Sequence, residues 1–111
     1  GLMELIEEGH TDGELLCGYL RSLFSSMNSP CTDFDAVVLG CTHYPHAEKA
    51  IARFFPGACF FDGCRGTAAE AARRLEAAGL CTDTHVQGCI EYITTSDNPG
   101  FRDICERLLL A

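Results

Sequence analysis

Apolar and polar positions alternate along this chain in two different rhythms. Residues 2–8 mix apolar and acidic side chains and run out at Gly9. Thr11-Asp12-Gly13-Glu14 has the spacing of a capping box, and Leu15, Leu16, Tyr19, Leu20, Leu23 and Phe24 follow at helical intervals. Asn28, Ser29 and Pro30 stop that helix. Val37, Val38 and Leu39 then form a run with no polar side chain, which predicts a strand over 36–39 buried on both faces. A helix is expected over 45–55, with Ala47, Ala50, Ile51, Phe54 and Phe55 on its apolar side, ended by Pro56 and Gly57. Residues 58–61 read as a second short buried strand. Thr67-Ala68-Ala69-Glu70 is a second capping-box pattern, opening a helix through 78 that Gly79 terminates. Residues 89–95 are a third strand candidate. Asn98 as N-cap and Pro99 at the first helical position start a last helix carrying Phe101, Ile104, Cys105, Leu108 and Leu109.

Strands alternating with helices of this length define an α/β class, with a mainly parallel sheet flanked by helices. The one plausible seam is 62–66, where Gly63-Cys64-Arg65-Gly66 interrupts the pattern. A chain of 111 residues is one domain's worth. It can bury about 65% of its unfolded surface, enough for one modest core. No apolar run approaches the ~20 residues that span a bilayer, and no basic-then-apolar leader is visible. The formal charge of −8 argues against nucleic acid or an anionic membrane as partner, since neither would be attracted. Eight cysteines are many for this length, yet several fall where small core residues belong. Cys59 and Cys89 begin strand-like runs, and Cys105 sits in an amphipathic helix, so most are expected to be buried, reduced thiols in a cytoplasmic protein.

Candidate chemistry concentrates where the first strand ends. Gly40 lets the backbone turn, and Pro45 is suited to open a helix, so Cys41, Thr42 and His43 are expected at the carboxyl end of a strand beside a helix start. In open α/β sheets ligands bind at that edge. A thiol there gains support as a thiolate from the helix dipole and a neighbouring imidazolium. Cys41, His43 and His46 have a spacing that suits a metal, but no Cys-x-x-Cys pair accompanies them, and no metal is expected. Gly63 and Gly66 lack the spacing and the preceding strand of a nucleotide fingerprint and read as loop residues. Glu70, Arg73, Arg74 and Glu76 read as a solvent-facing mixed-charge helix face.

With that turn in view, the chain resembles the glutamate racemases. Leu39-Gly40-Cys41-Thr42-His43-Tyr44-Pro45 is similar to the signature of that family's second half, without a break. Leu5-Ile6-Glu7-Glu8-Gly9 is similar to a family segment upstream. Tyr92-Ile93-Thr94-Thr95-Ser96-Asp97, with Phe101, Leu108 and Leu109, is similar to its closing strand and helix. The resemblance implies a cofactor-independent isomerase that interconverts L- and D-glutamate and supplies D-glutamate for peptidoglycan. It also implies half of a two-domain, pseudo-symmetric fold with a site in the cleft, each domain giving one catalytic cysteine. Carried over by position, Cys41 is the second of those cysteines. Thr42 and His43 hold substrate and assist the thiol, and Glu7 tunes it.

The first-half features of such an enzyme, an Asp-Ser pair and a cysteine followed by asparagine, have no counterpart here. The chain is therefore expected to be a carboxyl-terminal half. Residues 1–62 would belong to the second α/β domain. Residues 63–111 would complete the first domain, whose remainder lies outside these residues. Such a piece is expected to be inactive alone, its partner being either the missing first half or a second copy. His46 departs from the family's usual leucine, and 62–66 from its shorter acidic turn. Two alternatives stay open: a non-catalytic α/β binding or oligomerisation module, or a superfamily racemase acting on aspartate or a hydantoin. Tyr44-Pro45 disfavours the latter.

Overall fold

The computed structural model describes residues 1–84, 86–95 and 97–110, and the backbone alone of 110. Its elements run α1 (Leu2–Glu7), α2 (Glu14–Ser25), β1 (Ala36–Val38), α3 (Glu48–Ala52), β2 (Cys59–Phe61), α4 (Cys64–Ala77) and α5 (Phe101–Leu110). Short 3₁₀ turns occupy Cys31–Asp33 and Tyr44–Ala47. β1 and β2 are parallel, pairing Ala36 with Cys59, Val37 with Phe60 and Val38 with Phe61. The connection between them carries α3, so the chain is α/β with a parallel ladder, as its alternating pattern predicts.

The core comes from the first half of the chain. Leu2 and Ile6 of α1, Leu16 and Leu20 of α2, Leu39 just past β1, and Ala47, Ala50, Ile51 and Phe55 are its buried members. Phe24 packs edge-on against Phe54 and Phe55, with ring centroids 5.3 and 4.9 Å apart, which ties α2 to the end of the α3 segment. From the second half, Phe60 and Leu108 pack against this core and are partly buried. Leu108 brings α5 back to α1. There Gly9, at φ +90°, takes a backbone form open to glycine, and the Arg107 guanidinium occupies the space a side chain would need.

Several expectations change. The first strand is not buried on both faces: Val37, Leu39 and Phe60 face the helices, while Val38 is 74% and Phe61 55% exposed. A two-stranded ladder has no second layer to cover its outer face. Residues 89–95 form no strand, and Ile90 and Ile93 are exposed. A strand needs a ladder partner, and within the described residues this segment meets none. Ser96, part of the closing-strand match, lies outside the described residues, as does Ala111. The cysteines are free thiols but none is a fully buried core side chain, although Cys31 packs against the core. Cys59, Cys64, Cys81 and Cys89 are exposed, and Cys17, Cys31, Cys41 and Cys105 are intermediate.

Neither capping box forms. α2 starts only at Glu14 with Gly13 as N-cap, so Thr11 lies outside the helix; beside it Asp12 accepts the Gly13 N–H at 2.7 Å and both Arg53 Nη groups at 2.6 Å. α4 starts three residues ahead of Thr67, at Cys64, where Asp62 accepts the Cys64 N–H at 2.7 Å. Glu70 turns instead to Arg73 and Arg74, at 2.8 and 2.7 Å, on the mixed-charge face the sequence predicts. Gly79, at φ +65°, does end α4. Its N–H reaches the Glu76 carbonyl and that of Leu80 the Leu75 carbonyl, the pattern of a Schellman cap.

The bidentate Arg53 guanidinium holds the Asp12 carboxyl below its ordinary value. A carboxyl depressed in the folded state stabilises it above the unfolded pKa and loses that contribution as pH falls through the folded one. Asp12→Asn is therefore expected to lower the thermal midpoint at pH 7. The gap from the unsubstituted chain should narrow as pH drops below about 4, which a pH series of thermal melts reads directly.

Candidate active site

The site grows from the end of β1. After Val38 the ladder takes one more step, with the Leu39 N–H donating to the Phe61 carbonyl at 2.8 Å, and the chain then leaves the sheet at Gly40. Leu39 is buried and anchors this exit; Cys41 and His43 are half-buried, and Thr42 is exposed. Tyr44–Ala47 closes as a 3₁₀ turn with Pro45 in its first positions, and only the five residues Glu48–Ala52 are α-helical. The long helix expected over 45–55 is thus broken into short pieces. Its dipole is correspondingly small, so any help to Cys41 must come from side chains.

Two such side chains lie within reach. The Cys41 Sγ lies 3.7 Å from His43 Nδ1, and His43 Nε2 lies 3.1 Å from Glu7 Oε1. A carboxylate oxygen accepts, so Nε2–H donates to Glu7, and in the neutral ring this leaves Nδ1 as the nitrogen that can accept from the thiol. Thr42 Oγ1 approaches the same Nδ1 at 3.5 Å, a longer and secondary contact. Glu7 sits 36 positions from His43 in sequence, on the last turn of α1, which Leu2 and Ile6 pin against the core. A thiol, an imidazole and a carboxylate thus make a continuous chain of contacts, in the order that nucleophile–base–orienter sites use. The structure thus brings together Cys41, Thr42, His43 and Glu7. Among the described residues, no three His, Cys, Asp or Glu side chains gather as a metal site would require.

Cys41 and Thr42 also line a cleft of about 580 Å³, walled by Leu39, Gly40 and Pro45 on one side. The other wall is Asp62, Gly63, Cys64 and the first turns of α4, with Thr67, Ala68 and Ala71. Sequence reasoning treats 62–66 as loop and misses this wall. A signal for it exists: each strand is followed by one residue and then Gly-Cys, at Gly40-Cys41 and again at Gly63-Cys64. The Asp62 carboxylate beside Cys64 pushes that thiol above its ordinary value.

The fold and site define a class first: an α/β segment that presents a thiol–imidazole–carboxylate contact chain at the carboxyl end of a parallel strand. Comparison with known proteins then gives the particular relatives. Glutamate racemase of Clostridium acetobutylicum is 35% identical over 109 residues, covering 98% of this chain and 42% of the relative. That of Clostridium botulinum strain Okra is 31% identical over 109 residues, covering 97% and 42%. In fold, the chain is similar to the crystal structure of glutamate racemase from Thermus thermophilus in complex with β-chloro-D-alanine. The TM-score is 0.75 at 36% identity, over 96% of this chain and 40% of that one. No family model matches the chain. The resemblance to glutamate racemases is borne out in both sequence and fold. The chain spans about two fifths of the length of the curated relatives it matches.

Proposed function

We propose that this chain is the carboxyl-terminal portion of a glutamate racemase and that Cys41 is one of two thiols that pass the α-proton of glutamate. The observation that carries this reading is the Cys41–His43–Glu7 contact chain, whose cysteine lines a cleft. Racemisation removes a proton from a very weakly acidic carbon and returns one to the opposite face. It needs a base held within about 3–3.5 Å and a proton acceptor behind it. A thiol backed by an oriented imidazole is such a group. His43 takes the Cys41 proton at Nδ1 when the thiolate is needed, and Glu7 fixes the ring so that this nitrogen stays turned to sulfur. Thr42 contributes a hydroxyl for substrate. The reading invokes no cofactor.

The opposing thiol would come from sequence beyond these residues, as the share of the relatives covered supports. Residues 1–62 are then part of one α/β domain, and 63–111 complete the other. The concentration of the buried core within residues 2–55 supports this division. The bound β-chloro-D-alanine named for the Thermus relative supports an amino acid as the ligand class. The product, D-glutamate, would serve peptidoglycan synthesis in the cytoplasm.

The direct test is racemisation of L-glutamate, followed by circular dichroism, in a polypeptide joining this chain to the portion its relatives have in addition. Turnover is expected there and none from the 111 residues alone. A joined polypeptide that folds and binds glutamate without racemising it would overturn the reading. In that background His43→Ala should lower kcat by about 10²–10⁴-fold, the usual worth of a positioned acid/base group. Glu7→Ala, which frees the ring without removing it, should cost less; steady-state kinetics of the pair orders the two roles.

A further inference from the structure

β1 is followed by Leu39-Gly40-Cys41 and β2 by Asp62-Gly63-Cys64. The parallel register pairs Val38 with Phe61, and the Leu39 N–H to Phe61 carbonyl bond extends the ladder beyond it. Beyond that bond the chain leaves the sheet at Gly40 and α4 begins at Cys64, so both Gly-Cys steps lie at the same end of the ladder. Both cysteines line the one cleft. A disulfide needs Cα atoms about 4.4–6.8 Å apart, the separation that closure across this cleft requires. The glycine before each cysteine leaves room for closure: a Cβ on Gly40 would meet nothing within 4 Å, and one on Gly63 only the Thr67 hydroxyl at 3.8 Å.

We propose that Cys41 and Cys64 form a dithiol site that reacts with hydroperoxides and closes to an intrachain disulfide. The Cys41 sulfur attacks the distal oxygen of the hydroperoxide. The O–O bond breaks, the thiol proton passes by way of His43 Nδ1 to the departing oxygen, and Cys41 becomes a sulfenic acid while an alcohol, or water from hydrogen peroxide, leaves. The Cys64 sulfur then attacks the Cys41 sulfur. The S–O bond breaks, and the Cys64 proton leaves with the hydroxyl as water. In sum, two thiols and one hydroperoxide give one disulfide, one alcohol and one water, and the two electrons lost by sulfur reduce the peroxide. The order of events follows from the neighbours. Cys41 has a proton acceptor 3.7 Å away, whereas the Asp62 carboxylate disfavours a Cys64 thiolate, so Cys64 attacks second. The inference stands apart from the racemase reading, although under that reading the disulfide would occupy the acid/base thiol.

The test uses the unsubstituted 111-residue chain, treated with hydrogen peroxide, alkylated, and cut with trypsin together with a protease cleaving before aspartate. These cuts isolate Cys41 in residues 35–49 and Cys64 in residues 62–65. Expected is a species joining the two peptides, lighter than their sum by two hydrogens and separated by reductant, from chains that stay monomeric on a non-reducing gel. In Cys64→Ser, Cys41 should instead be trapped by dimedone as the sulfenic acid. The proposal fails if Cys41 is oxidised without the joined species, if Cys41 resists peroxide, or if the link forms only between chains.

Discussion

Replacing Cys41 with serine in a racemase polypeptide carrying this chain is expected to lower glutamate racemisation by about 10²–10⁴-fold, with little change in stability. Serine keeps the shape of the side chain and its reach toward His43 Nδ1, 3.7 Å from sulfur in the native site. What it loses is acidity: a hydroxyl does not yield a usable anion near neutral pH, whereas a thiol does so readily with an imidazole at hand. The stability expectation follows from position, because Cys41 lies in the turn beyond β1 and is not among the buried members of the core. Activity near that of the unsubstituted enzyme would remove Cys41 from the reaction. A collapse of folding would make Cys41 structural.

Leu20→Ala is expected to be the most damaging kind of substitution for the fold. Leu20 is fully buried on α2, within a small core whose buried members among the described residues lie between residues 2 and 55. Truncating a buried leucine costs about 2–5 kcal/mol, from lost burial and the cavity left behind. Against a typical domain stability of about 5–15 kcal/mol, that is a large share. Leu75→Ala on α4, where the side chain is 47% exposed, provides the contrast and should stay within about 0.5 kcal/mol. Urea titrations of the two variants separate them. Equal midpoints would mean that the core does not sit between α1, α2 and α3.

The sequence speaks clearly where short-range chemistry decides. The Gly79 stop of α4, the helical spacing of Leu16 and Leu20, and the exit of β1 into Cys41-Thr42-His43 all follow from local backbone preference and side-chain period. It misleads where a tertiary partner decides. Thr11 and Thr67 have capping-box spacing, but α2 begins only at Glu14 and α4 already at Cys64, so neither threonine stands at an N-cap, and Glu70 pairs with Arg73 and Arg74. Val38 has the composition of a doubly buried strand, yet burial needs a second layer that the described residues do not provide. The same holds for 89–95, whose alternation suits a strand but finds no ladder.

The candidate site divides along the same line. Cys41, Thr42 and His43 are adjacent in sequence and legible as a motif. The Glu7 contact spans 36 positions, and the family resemblance suggests it where residue spacing alone does not. Cys64 escapes both routes because its place in the cleft that Cys41 lines follows from the parallel pairing of β1 with β2, and only the repeated Gly-Cys after each strand hints at it.

Solvent deuterium incorporation at the glutamate α-carbon tests the central claim most directly. In a racemase polypeptide carrying this chain, both enantiomers should take up deuterium and interconvert. With Cys41→Ser, one enantiomer should still exchange through the opposing thiol, while inversion stops. Inversion of both enantiomers at the unsubstituted rate after that substitution would contradict the account.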